Sequence, residues 1–422
     1  MAKGRIHVYV GPTCPADEIG ERFPEVVPHP PVAHGDFFGP EPAAGDVAVV
    51  VDDFAPHRPG ARHKEYLHAL DRGVTVIGAA GVGALRALEL GPFGVRGVGT
   101  VHELYRSGVL DGDDAVAVAH EEEAPYARLS VPLVNLRAAA QAACAEGLLR
   151  AAEIERVVET LRREYYPSRT QDRVVHLLRR AGRPQLADWY ARRVADDPHI
   201  FDQQRRDCLA AIEAARRTVA EGVVGRVTGA GDAAWRTVAL RAWRNHFVAR
   251  EGSPPLGQRI AYQQLFNPYY ARVWNRYLED SLPGGPAVTR LPLPAARERE
   301  RRLADADCPV PDLSDPHEVA LLLSAEEPAD IEAVAAQLRR DPAPGFDVGP
   351  RSRRAAQDPA RELSEDAGRV LLCHIWQIPA GELAGECRSR GIPDVETAVR
   401  MLRPFVAGAG GAASESLRAE TA

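Results

Sequence analysis

The residues best able to do chemistry crowd between positions 50 and 120. Val51-Asp52-Asp53-Phe54 closes an apolar run with two carboxylates. Carboxylates at the carboxyl end of a parallel strand stand where such sheets bind ligands, and a turn cap is the plainer use of the same residues. His63-Lys64-Glu65 follows Pro59-Gly60 and opens a helical pattern. His63 is a candidate general base or anion partner, and Glu65 suits the first turn of a helix by charge alone. Lys64 stands out because the chain has 52 basic residues and only two are lysines, Lys3 and Lys64. A compact ammonium is a different tool from a guanidinium fork.

Gly78-Ala79-Ala80-Gly81-Val82-Gly83 precedes Arg86. Small residues there let a ligand approach the backbone, and a helix start offers its N–H groups to an anion. A tight crossing of strand and helix needs the same glycines. Neither the G-x-G-x-x-G spacing nor a G-K-[ST] phosphate loop is present. Asp111-Gly112-Asp113-Asp114 and His120-Glu121-Glu122-Glu123 form an acidic stretch. Its oxygen ligands would suit Mg²⁺ or Ca²⁺. The EF-hand spacing is missing, so a solvated acidic face is expected and no metal site.

These residues need a scaffold, and the first 130 positions spell one. Ile6–Val10, Asp46–Val51 and Val74–Ile77 read as strands, the second almost wholly β-branched. Unbroken apolar strands suit a sheet covered on both faces. His63–Leu70 and Ala84–Leu90 read as the helices after the second and third strands. Strand, helix, strand, glycine turn, helix is the order of a parallel α/β sheet, so a Rossmann-like domain is expected over residues 1–132.

From Leu133 the pattern turns helical, with a break near Gly147, and no strand is expected past residue 135. An all-helical region is expected over 133–405, with a possible break near 282–294, a second Pro/Gly-rich stretch near 341–350, and a disordered Gly/Ala/Ser-rich tail over 406–422. The aromatic stretch from Trp235 to Tyr277 is interleaved with arginines. That mixture is common at protein interfaces, and the same spacing fits a helix core.

Composition narrows the function classes. The chain has 422 residues, a net charge of −7 and 45% hydrophobic residues, which suits a globular protein and not a general nucleic-acid binder. The six cysteines lie far apart with no C-x-x-C pair. No run of about 18 apolar residues appears, so no membrane span is expected. The first residues lack the apolar core of a signal peptide, and a cytoplasmic protein with reduced thiols is expected.

Several short blocks, in one order, carry a resemblance. They are Gly11-Pro12-Thr13, Asp52-Asp53-Phe54, His63-Lys64-Glu65 with Ala69-Leu70 and Gly73-Val74, and Gly78-Ala79. Then come Gly83-Ala84-Leu85-Arg86-Ala87 with Glu89-Leu90, Gly94, Gly97-Val98-Gly99, Tyr105, Gly108, Asp113-Asp114, Val116-Ala117-Val118 and His120. On these blocks the stretch from Val8 to about Leu136 resembles the core domain of TfuA-like proteins, partners of YcaO enzymes in peptide thioamide formation. The family usually carries Ser-Ser-Met where this chain has Ala80-Gly81-Val82, so any chemistry resting on those serines is lost here. Cys14 stands where a leucine is common. It could carry sulfur as a persulfide, but a buried small hydrophobe is preferred.

The resemblance implies an accessory role. YcaO enzymes phosphorylate a backbone amide oxygen with ATP, and a sulfur nucleophile then displaces phosphate. The expected partners are therefore a YcaO-domain enzyme and a ribosomally made precursor peptide, with either a thiocarboxylated ubiquitin-like carrier or free sulfide as the sulfur source, and neither nucleic acid nor membrane. No cofactor is expected on this chain, since ATP and Mg²⁺ would sit on the partner. Lys64, Arg86, Asp114, His120 and His63 are the candidate catalytic residues. Gly11, Pro12, Thr13, Asp52, Asp53, Gly78, Gly81 and Gly83 are the candidate substrate- or anion-binding ones. Two other classes stay open: a stand-alone hydrolase or sulfurtransferase acting on a thiocarboxylated carrier, and a scaffold whose helical half holds a leader peptide.

Overall fold

The computed structural model describes residues 4–52, 60–121, 123–229, 235–248, 253–281, 309–340 and 363–406. The expected linkers around 282–294 and 341–350, the tail, and Asp53 lie outside the described residues. The chain divides into two compact units, Met1–Trp235 and Arg236–Ala422.

The first unit holds one five-stranded parallel sheet. Its strands are β1 (Ile6–Tyr9), β2 (Val26–His29), β3 (Val47–Val50), β4 (Thr75–Ala79) and β5 (Arg96–Val98), in the order β2-β1-β3-β4-β5. Val8 pairs with Val49, and Val49 with Ile77. The three strands read from the sequence form the centre. All four residues of β3 are fully buried, which is why it can do without a polar position. The two strands that pattern did not reveal are the edges. β2 contains Pro28 and β5 is three residues long with Gly97 at its middle. Proline is tolerated at an edge because no neighbour there needs its N–H.

Helices α1 (Ala16–Arg22), α2 (His63–Asp71) and α3 (Val82–Leu90) make crossovers, and α4 (Thr100–Arg106) follows the last strand. They are followed by α5 (Leu133–Ala145), α6 (Ala151–Arg162), α7 (Gln171–Arg180), α8 (Pro184–Asp196) and α9 (Gln203–Ala220). Among the described residues no strand follows β5. The sheet thus ends before residue 133, but its compact unit runs on to Trp235. The reason is α9, which lays Cys208, Ala211, Ile212 and Ala215 against Ile6, Val8, Val47 and Val49, with Ile19 and Phe23 of α1 beside them. Full burial contributes about 1.5–3 kcal/mol for each valine, isoleucine or phenylalanine among them and less for each alanine. The opposite face carries Tyr9, Phe37 and Tyr66 in edge and tilted ring contacts.

The second unit, as described, is helical with two apolar clusters. Leu256, Tyr270, Trp274, Tyr277 and Leu322 anchor one, and Leu265, Leu372, Trp376, Cys387 and Leu402 the other. The Trp376 indole donates to the Leu265 carbonyl at 2.8 Å. The aromatic–arginine stretch is therefore largely core, although Tyr269 is 62% exposed. The periodic stretch 258–278 forms two helices, Leu256–Phe266 and Tyr270–Ser281, because Asn267 takes an extended conformation before Pro268. No described helix is long and apolar enough to cross a membrane.

Candidate functional site

The strand order reverses direction between β1 and β3, and in parallel sheets the crevice outside the carboxyl ends at that point is where ligands bind. Gly11-Pro12-Thr13 leaves β1 there and Asp52 leaves β3. The Asp52 carboxylate is buried and accepts three hydrogen bonds. One oxygen takes the Gly11 and Thr13 amides at 2.9 and 3.2 Å, and the other takes the Thr13 hydroxyl at 2.7 Å. Asp52 thus ties the two loops that form the crevice. Gly81 tucks in behind it: a Cβ there would stand 2.8 Å from Asp52 Oδ1.

Arg128 closes one side. It donates to the Pro12 carbonyl and, at 3.1 Å, to the Thr13 carbonyl, and it pairs with Asp202 at 2.8 Å. Asn135 donates to the other Asp202 oxygen at 3.0 Å. Beside these groups lies a cavity of about 380 Å³, bordered by Thr13, Tyr126, Arg128, Asn135, His199 and Arg205. The Tyr126 ring lies against Gly11, where an added Cβ would be 3.4 Å from Tyr126 Cδ2 and 2.6 Å from Pro31. His120 meets Tyr126 edge-on at 5.9 Å. Its Nδ1–H donates to the Glu121 carbonyl at 2.6 Å, which leaves Nε2 as the lone-pair nitrogen of the neutral ring. Cys14, next in the β1 loop, is fully buried with Cys208 in the sheet core. The Cys14 sulfur and burial together push the Cys208 thiol up. This is the setting of an inert packing thiol.

A second cluster joins the first turn of α2 to the second half of α3. His63 Nε2 and Arg86 Nη1 both contact Glu89 Oε2 at 2.8 Å. Burial raises the Glu89 carboxyl, but the hydrogen bonds from Arg86 and His63 outweigh it and hold the group below the ordinary carboxylate range. The two predicted residues are thus joined by a third that carried no predicted role. Half-buried Lys64 follows His63 on the first turn of α2. Glu65 does more than suit the helix dipole. Fully buried, it accepts the Arg62 amide at 2.9 Å, the Gly35 amide at 2.6 Å and His34 at 3.0 Å, anchoring the start of α2.

The glycines at 78 and 83 serve the crossing of α3 over the sheet. A Cβ on Gly78 would lie 2.1 Å from the Gly83 carbonyl oxygen, and one on Gly83 would lie 2.0 Å from that of Val50. The Gly83 amide donates to the Val51 carbonyl at 3.2 Å. The structure places Asp114 elsewhere, beside Arg162 at 3.6 Å. So Gly11, Pro12, Thr13 and Asp52 come together, with His120 behind Tyr126. His63 and Arg86 meet on Glu89, with Lys64 next to His63 in the chain, and Asp114 belongs with α6. Sequence reading passed over Arg128, which has nothing to mark it in a chain so rich in arginine.

The family model described as TfuA-like protein matches residues 52–170. This stretch contains the His63–Glu89–Arg86 cluster, Asp114, His120 and Arg128, but not the β1 loop. No curated protein matches the chain.

Proposed function

The chain is TfuA-like over residues 52–170, and from that premise we propose that it is an accessory protein to a YcaO-domain enzyme. In this reading it supports ATP-dependent thioamide formation in a ribosomally made peptide by delivering or releasing sulfide in the cytoplasm. ATP and Mg²⁺ belong to the partner. A thiocarboxylated ubiquitin-like carrier or free sulfide supplies the sulfur.

The observation that carries the proposal is the pairing of His63 and Arg86 on one Glu89 oxygen, with Lys64 next to His63 in the chain. A hydrosulfide or thiocarboxylate anion is stabilised by cations held in place in advance. The imidazole of His63, fixed by its bond to Glu89, takes or gives the proton that distinguishes H₂S from HS⁻. Asp52 and Thr13 hold the neighbouring crevice open for the peptide or the carrier's C-terminal end. His120 presents Nε2 nearby as a second proton carrier.

Two measurements on one preparation test this. The chain and a YcaO protein encoded beside it should co-elute in size-exclusion chromatography at micromolar concentration with peptide present. Adding the chain should also raise the initial rate of peptide mass gain, oxygen replaced by sulfur, at saturating ATP and sulfide. Separate elution together with an unchanged rate overturns the proposal.

A further inference from the structure

Away from the sheet edge, a groove of about 570 Å³ runs between the turn at Val109-Leu110 and helix α6. Leu110, Leu133 and Val158 give it an apolar floor. Its walls carry Arg137, Arg156, Arg162 and Arg163 against Glu155 and Glu159, and we propose that it docks a peptide segment carrying carboxylate side chains.

Helix α6 places Arg156, Thr160 and Arg163 along the groove at the i, i+4, i+7 spacing of one helix face. Arg156 has no ion pair among the described residues, and Arg163 reaches Glu159 only at 3.8 Å with both groups exposed. Such an exposed pair holds its members loosely. Arg162 is engaged by Asp111 at 2.8 Å and Asp114 at 3.6 Å. Arg137 lies at the base, 6% exposed, bound through both terminal nitrogens to Glu155 at 2.6 and 2.7 Å, while its buried Nε has no partner. Nearby Arg169 is 1% exposed and donates one nitrogen to the Asp114 carbonyl. Its Nε and Nη1 have no partner, and it has no ion pair among the described residues.

Burying a guanidinium without a carboxylate is costly. That cost falls on Arg169, whereas Arg137 has its carboxylate in Glu155; the charge offered to solvent in the groove is that of Arg156 and of loosely held Arg163. The planar fork of arginine matches a carboxylate. The groove is far larger than a bare oxyanion and has an apolar floor, so the carboxylates it suits are those of a peptide that also has apolar side chains. The groove's role is separate from the accessory role, because its test contains no partner enzyme.

The probe is a labelled octapeptide alternating glutamate and leucine, titrated with the full chain at low ionic strength and read by fluorescence anisotropy. Saturable binding is expected, weakened about tenfold in the double variant Arg156→Gln, Arg163→Gln. Both residues are exposed, so circular dichroism should be unchanged. Arg192→Gln, an exposed arginine of α8, should bind like the parent chain. Equal binding of the glutamine–leucine peptide, equal affinity of the double variant, or full displacement by equimolar inorganic phosphate would each overturn the peptide assignment.

Discussion

The Thr13 hydroxyl donates to the Asp52 carboxylate at 2.7 Å, and the Thr13 amide donates to the other oxygen of the same group. One side chain thus locks the loop after β1 to the end of β3, across the crevice where the strand order reverses.

That lock sets a first expectation. Thr13→Val removes one donor and leaves a buried carboxylate oxygen short of a partner, which should cost about 1–3 kcal/mol. Asp52→Ala should cost at least as much, since it leaves the Gly11 and Thr13 amides and the Thr13 hydroxyl without their acceptor. Urea denaturation measures both. A change below the error of the midpoint in both variants would show that the loops are held by something else.

The His63, Arg86 and Glu89 cluster, with Lys64 next to His63 in the chain, sets a second. Lys64→Ala and Arg86→Ala should abolish the stimulation of thioamidation while leaving the fold and the co-elution intact. Glu89→Gln should weaken it too, and nitrogen-15 spectra should show a changed His63 tautomer distribution, which loss of a surface ion pair elsewhere would not produce. If these groups are only surface pairs, each substitution alters stability by no more than about 1 kcal/mol and leaves the rate alone. Parental rates in all three variants remove the site.

Histidine burial in the sheet sets a third. His7 is fully buried, its ring stacked on His29 at 5.1 Å, with Nδ1 to Nε2 at 2.9 Å. Burial lowers His7 despite Asp46, and burial with the neighbouring His7 lowers His29. A folded-state value below the unfolded one, about 6.5, means that the unfolded chain binds more protons in the window between. Stability from this pair is fully present above about pH 6.5 and is lost as the pH falls through the folded values, at about 1.4 kcal/mol for each unit of depression. Thermal melts from about pH 7.5 to 5 should fall accordingly, and His29→Asn should flatten the slope. A parent chain equally stable across that range contradicts the pairing.

The central strands were legible because burial on both faces demands unbroken apolar runs, and Val47–Val50 and Thr75–Ala79 have them. Asp52 was legible as a residue that follows a strand, since parallel strands all deliver their outgoing loops to one edge, whereas the meeting of His63 with Arg86 is made by Glu89 on the last turn of α3. The sequence alone also placed the change to helix near Leu133, since the period of the apolar residues changes there. It could not contain any pairing between distant positions. Glu89 joins His63 across 26 residues, Arg128 reaches Pro12 across 116, and α9 returns Cys208 and Ile212 to a sheet begun some two hundred residues earlier. These are contacts between surfaces that come into being only once the crossovers have folded. The edge strands β2 and β5 escaped for the same reason. They are short, interrupted by Pro28 and Gly97, and they are strands only because β1 and β4 offer them hydrogen bonds. Local pattern determined which segments are buried and where the chain turns; only the tertiary structure decided which carboxylate meets which cation, because that depends on distances no local periodicity encodes.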